Sequence, residues 1–150
     1  MWPLSLVLLV LMSTPALACA LALDVGGVLR ASPGGDRVGS DEANGRAATF
    51  IVSNALLAGD FRITVARPVI VDAPAGFDRS APTYVSYTAS GLLSSYGSGG
   101  YVDHQTSFDV TGLLSALSVI MTLNNRFTSG ASGIFPGHYA TTTTVTCAPL

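Results

Sequence analysis

The sequence predicts an all-β domain, an immunoglobulin-like sandwich of about seven strands behind an N-terminal export signal. Three observations carry this. No segment sustains a 3.6-residue apolar period over the length of a helix, whereas short runs alternate apolar and polar residues with period two. Gly, Pro and Asn clusters separate these runs at turn-like intervals. Charged residues make up only 11% of the chain, against about 25% in an ordinary soluble domain. Gly, Ser, Thr and Ala take their place, a composition that disfavours helices.

The first segment is the export signal. Leu4 to Met12 (LSLVLLVLM) is apolar apart from Ser5, and Ser13-Thr14-Pro15 ends it. Ala16 and Ala18 supply small residues at the positions a signal peptidase reads. A membrane span needs about 20 apolar residues, and Pro15 stops this run well short, so no span is expected in the mature chain. The domain organisation is therefore residues 1–18 as signal, with cleavage as late as 22, and 19–150 as one β-sandwich. Cys19 directly after Ala18 also raises lipidation, but Leu17 lies two residues before it, not three.

Along the mature chain, Cys19 to Val25 (CALALDV) alternates, with Cys19, Leu21, Leu23 and Val25 expected on one face. Ser32 to Arg46 reads as loop. Ala47 to Asn54 is a strand. Asp60 to Val71 alternates, with Phe61, Ile63 and Val65 opposite Arg62 and Thr64; Pro68 cannot donate to a ladder and marks an edge, a bulge or a break. Asp72 to Pro82 is loop. Thr83 to Ser90 is β-branched and aromatic, a strand. Tyr96 to Gly100 is a turn, Gln105 to Thr111 and Leu117 to Leu123 are strands, and Leu113 to Ala116 has room for one helical turn. Thr128 to Gly137 is loop. His138 to Cys147 is the cleanest alternation, with Tyr139, Thr141, Thr143, Val145 and Cys147 sharing a face.

Charge excludes some partners. The chain has no Lys, seven Arg and a net charge of −2, so nothing attracts nucleic acid or an anionic membrane surface. Catalytic and metal chemistry find no pattern. Asp103-His104 offers half a triad, but neighbours on a strand point to opposite faces. Ser98 and Ser132 each miss one glycine of a nucleophile elbow, with Tyr96 and Ile134 standing where it would be needed. Two distant His and two Cys make no zinc spacing, and Gly97, Gly99 and Gly100 lack the Lys and helix of a phosphate loop. No enzyme activity, metal or cofactor is expected. Two Cys in an exported chain predict a Cys19–Cys147 disulfide, provided the first and last strands are neighbours and cleavage retains Cys19.

Thr106 to Leu123 (TSFDVTGLLSALSVIMTL), followed by Gly137 to Cys147 (GHYATTTTVTC), resembles the closing strands of spore coat protein U-like domains and a related uncharacterised family. Gly137 and Tyr139 match the G-x-Y that precedes their Thr/Val-alternating last strand. Ala47 to Val65 resembles a hairpin of secreted bacterial β-domains. The resemblance implies an immunoglobulin-like sandwich and, from the best understood members, a pilin subunit of archaic chaperone–usher fibres. Such pilins carry a donor segment ahead of their first Cys, whereas Cys19 is almost the first residue after the signal.

The expected function is a secreted, periplasmic or cell-surface structural or adhesive subunit, such as a component of a fimbrium. Its partners would be copies of itself or related subunits joined by strand addition, and a periplasmic chaperone. Leu21, Leu23 and Val25 would lie on the donor or first strand. The alternative is a monomeric secreted binding module with a loop-built site drawing on Phe77, Tyr96, Tyr101 and His104.

Overall fold

A computed structural model describes residues 19–53, 59–91, 95–111, 118–130 and 133–150. The signal segment 1–18, the turn at 113–116 and Ser132 lie outside these residues. Twelve strands follow in chain order: β1 (Ala20–Val25), β2 (Arg30–Ala31), β3 (Arg37–Gly39), β4 (Ala48–Ser53), β5 (Phe61–Val65), β6 (Val69–Asp72), β7 (Thr83–Ser90), β8 (Ser95–Gly97), β9 (Thr106–Val110), β10 (Val119–Thr128), β11 (Ala140–Thr142) and β12 (Val145–Pro149). All pairing is antiparallel. The protein is all-β, as its composition and period-two patterning predict.

The larger sheet is organised on β10. Along one edge β10 pairs with β7, which carries β8; along the other it pairs first with β4 and then with β3. β1 extends the sheet beyond β4, and β2 extends it beyond β3. The second layer is β12-β5-β9, continued by the ribbon β11-β6. Pro68 separates β5 from β6, so the Asp60–Val71 run is one strand path broken where the chain lacks a donor. The opposite path breaks at the same level, between β11 and β12. The Ala66 N–H still reaches the Thr144 carbonyl across the break at 2.9 Å.

Alternation decides which side chains meet between the layers. Phe61, Ile63 and Val65 from β5 are fully buried against Val52, Val85, Ala89, Val119 and Met121 of the large sheet. A second cluster lies further along, where Phe77, Phe127 and Tyr139 pack edge-on or tilted at 5.1–5.6 Å with Ile70 and Val38 beside them. Burying an aromatic ring of this size contributes about 1.5–3 kcal/mol, and the edge contacts add to it.

Four sequence expectations need correction. Ser32 to Arg46 contains β3, with β2 just before it, joined by a turn in which Gly35 N–H bonds the Ser32 carbonyl. The turn read at Tyr96–Gly100 overlaps β8, whose Tyr96 and Gly97 pair with β7. β10 continues through Asn124-Asn125-Arg126 to Thr128, because three partner strands supply what those residues lack in strand propensity. Val25 leaves the face of Leu21 and Leu23. A register irregularity at Asp24 sets Val25 opposite Thr49, on the outer face.

Candidate functional site

β12 stands at the edge of its layer, and one rung inward stands β5. Val145 pairs with Val65, Cys147 with Ile63 and Pro149 with Phe61. Directly opposed residues share a face, so all three β12 residues look inward, as the alternation predicts. Yet Val145 and Cys147 are only half-buried and Pro149 is exposed. Leu23 of β1 behaves the same way: its rung partner Phe50 packs on the core, yet Leu23 is 62% exposed. Both strands border a seam between the layers that no described strand covers.

The ladder groups agree. Thr144 accepts from Ala66, and Leu150 N–H donates to the Asp60 carbonyl at 3.0 Å. Thr146 and Ala148 fall between them in phase, so Val145 and Cys147 turn their N–H and C=O away from β5. Among the described residues no strand pairs with that edge. Pro149 has no N–H to offer there, which blunts the end of the strand.

The seam is closed at one end and open at the other. At the closed end the Cys19–Cys147 disulfide joins the two layers with a Cα–Cα distance of 6.2 Å, within the normal range for such a bond. At the open end a cleft of about 720 Å³ runs between Gly27–Ala31 on one wall and Ile134–Thr141 on the other. Leu29, Val38, Leu123, Ile134, Phe135 and Tyr139 supply its apolar surface.

Gly137 and Tyr139 shape the second wall. Gly137 adopts φ +148°, and a Cβ there would stand 2.5 Å from the Pro74 ring, so any other residue would displace the Asp72–Pro82 loop. Tyr139 turns its ring inward onto Phe77 and Phe127. Its hydroxyl donates to the Phe135 carbonyl at 2.8 Å and accepts from the Phe135 N–H at 2.9 Å, clamping the wall's loop.

Asn125 crosses the floor. Its amide donates to Thr141 Oγ1 at 3.0 Å and accepts from Thr143 Oγ1 at 2.8 Å, while its N–H reaches Ser40 Oγ at 3.1 Å. The two layers are thus tied by a polar bridge where the cleft opens. Asn125 was hidden in the sequence, because the predicted strand stops at Leu123 and only the pairing of β10 carries it through Asn124-Asn125.

The residues of the alternative loop site do not converge. Phe77 is buried in the core. Tyr96 stacks on Phe108 at 4.8 Å, and Tyr101 lies under the Arg126 guanidinium, 4.0 Å from its carbon. No described cavity is lined by more than one of these residues and His104. His104 and Asp103 do meet, at 3.2 Å, contrary to the expectation for strand neighbours, because both occupy a bend. That hydrogen bond holds the Asp103 carboxyl below its usual range, but both side chains are about 70% exposed. Ser98 accepts from the Tyr87 N–H and donates to the Gly100 carbonyl, a turn-stabilising role.

Beside Tyr101, burial pushes its phenol up to about 12. Arg126 in turn pairs with Asp41. At the outer rim His138 Nδ1 lies 2.9 Å from Asp72, a contact that holds the Asp72 carboxyl low, with Arg79 at 3.9 Å. Among the described residues no three His, Cys, Asp or Glu side chains gather as a metal site. No family model, curated protein or solved structure matches the chain.

Proposed function

We propose that this protein is a structural or adhesive subunit of the cell surface, pilin-like in plan, that accepts an extended strand from a neighbouring chain along its open seam. The observation that carries this reading is the pairing of inward-facing but uncovered side chains (Leu23, Val145 and Pro149) with the outward-turned ladder groups of β12. A strand laid there satisfies backbone donors and acceptors and covers apolar surface in one step, the logic of strand addition. Each large side chain it buries fully would contribute about 1.5–3 kcal/mol. The disulfide suits an oxidising compartment, hence export to the periplasm or beyond. The partners are other subunits, with a periplasmic chaperone covering the seam before assembly.

One observation favours the monomeric binding module as the second reading. β1 is paired with its own β4 and tethered beside β12 by the intrachain bond, which supports reading Leu21 and Leu23 as part of a first strand and not as donors. The protein then receives a strand without lending β1. Light scattering on the oxidised protein, alone and co-expressed with a periplasmic chaperone, tests the choice. A one-to-one chaperone complex is expected. A strict monomer that no chaperone retains would put the binding module first.

A further inference from the structure

We infer that the strand taken up by the open end of the seam is an acidic one: an extended segment of a partner protein, apolar at alternate positions, with carboxylates where it passes the Gly27–Ala31 wall. This rests on the strand-accepting reading above and names the chemistry of the occupant.

The argument is one of charge. The described residues lining the cleft include two that can carry charge, Arg30 and His138, both basic, and neither Asp nor Glu. Behind the same wall stands Arg46, whose backbone pairs with Val28. Arg30 Nε donates to the Asn44 carbonyl at 3.3 Å and Arg46 Nε to the Gly26 carbonyl at 3.1 Å. Backbone carbonyls orient these guanidinium groups without neutralising them, and both side chains are exposed.

Two neighbouring carboxylates are committed elsewhere, Glu42 to Arg37 and Asp72 to His138 and Arg79, while Asp24 accepts from the Thr49 hydroxyl. Arg37, Arg62, Arg79 and Arg126 each have a carboxylate within salt-bridge distance. Arg30, Arg46 and Arg67 have none among the described residues; of these, Arg30 lines the apolar cleft and Arg46 stands behind the same wall, its backbone paired with Val28. A guanidinium presents a planar fork of donors that matches a carboxylate. An incoming strand thus gains ladder bonds from β12, apolar cover from Leu29, Ile134 and Phe135, and register from Arg30 and Arg46.

The test uses the oxidised, exported protein and fluorescent peptides of about ten residues, a full strand length. Three peptides alternate Val and Thr and differ only in two terminal residues: Asp, Asn or Lys. Anisotropy should rank them Asp over Asn over Lys, with about a two- to fivefold loss per charge removed. The Asp preference should vanish near 1 M salt, where screening acts within about 3 Å. Arg30→Gln with Arg46→Gln should erase the difference between the Asp and Asn peptides while leaving Asn-peptide binding intact. Equal binding of all three peptides overturns the acidic partner and leaves strand acceptance standing. Binding of none overturns both. Self-association that the Asp peptide fails to displace also overturns the inference, by placing a second copy in the seam.

Discussion

The closed and open ends of the seam contain the same kinds of residue and differ in what lies across from them. At the closed end Cys147 shares its rung with Ile63, and a disulfide supplies the missing neighbour from β1. At the open end Tyr139 and Ile134 face a cleft, and Asn125 holds the layers together by hydrogen bonds. One end is fixed covalently, the other by polar contacts that water can replace. The lesson is that a sandwich with an uncovered edge needs a staple at one end if the other is to stay open.

The most severe way to break that comparison is to remove the staple. The disulfide spans a sequence separation of 128 residues, for which the chain-entropy model gives about 4–5 kcal/mol. Cys19→Ala with Cys147→Ala, or reduction of the native protein, should lower stability toward that amount in denaturant titrations. Hydrogen exchange should then rise first in β1 and β12. An unchanged midpoint would mean that the closed end is held by packing alone.

A finer cut uses the rung that joins an inner strand to the edge. Val65 is fully buried and its partner Val145 is half-buried. Val65→Ala should cost about 2 kcal/mol, and Val145→Ala less than half of that. If the bound-strand reading is right, Val145→Ala should lose more when a seam-binding peptide is present, because the same side chain is then covered. Equal costs for the two variants in the free protein would show that the edge is not open in solution.

Smaller effects come from titration. Tyr101 titrates at about 12 in the folded chain, against about 10 unfolded. A raised value means that stability is fully present below pH 10 and is lost as pH climbs toward 12. In the variant Tyr101→Phe, ultraviolet titration should lose the high-pH step, and the alkaline destabilisation should be reduced. Weaker still is the rim pair. Asp72 is held low by His138, so its contribution is present above the ordinary carboxylate range and fades as pH falls through the lowered value. His138→Gln should move the Asp72 resonance upward in an NMR titration, and an unmoved resonance would remove that contact from solution.

Much of the fold was legible in order along the chain. Thr83–Ser90 occupies β7 residue for residue, and the facing of Phe61, Ile63 and Val65 follows from alternation. Pro68 breaks its strand because it lacks a donor. The inward face of Tyr139, Thr141, Thr143, Val145 and Cys147 is also as the alternation reads, even though the path divides into β11 and β12. The seam was not legible. Period two shows which way a side chain points but not whether anything lies opposite, so Leu23 and Leu21 look alike in sequence and differ in exposure.

The sequence by itself determined the all-β class, most of the alternating faces and the two cysteines available for one bond, because these depend on local backbone preference and side-chain chemistry. Tertiary structure alone decided that β10 would extend through Asn124 and Asn125, that Cys19 would meet Cys147, and that Arg30 and Arg46 would flank an uncovered apolar cleft. Those outcomes depend on which strands become neighbours, and pairing across a hundred residues is set by the summed burial of both layers, which no short window of sequence contains.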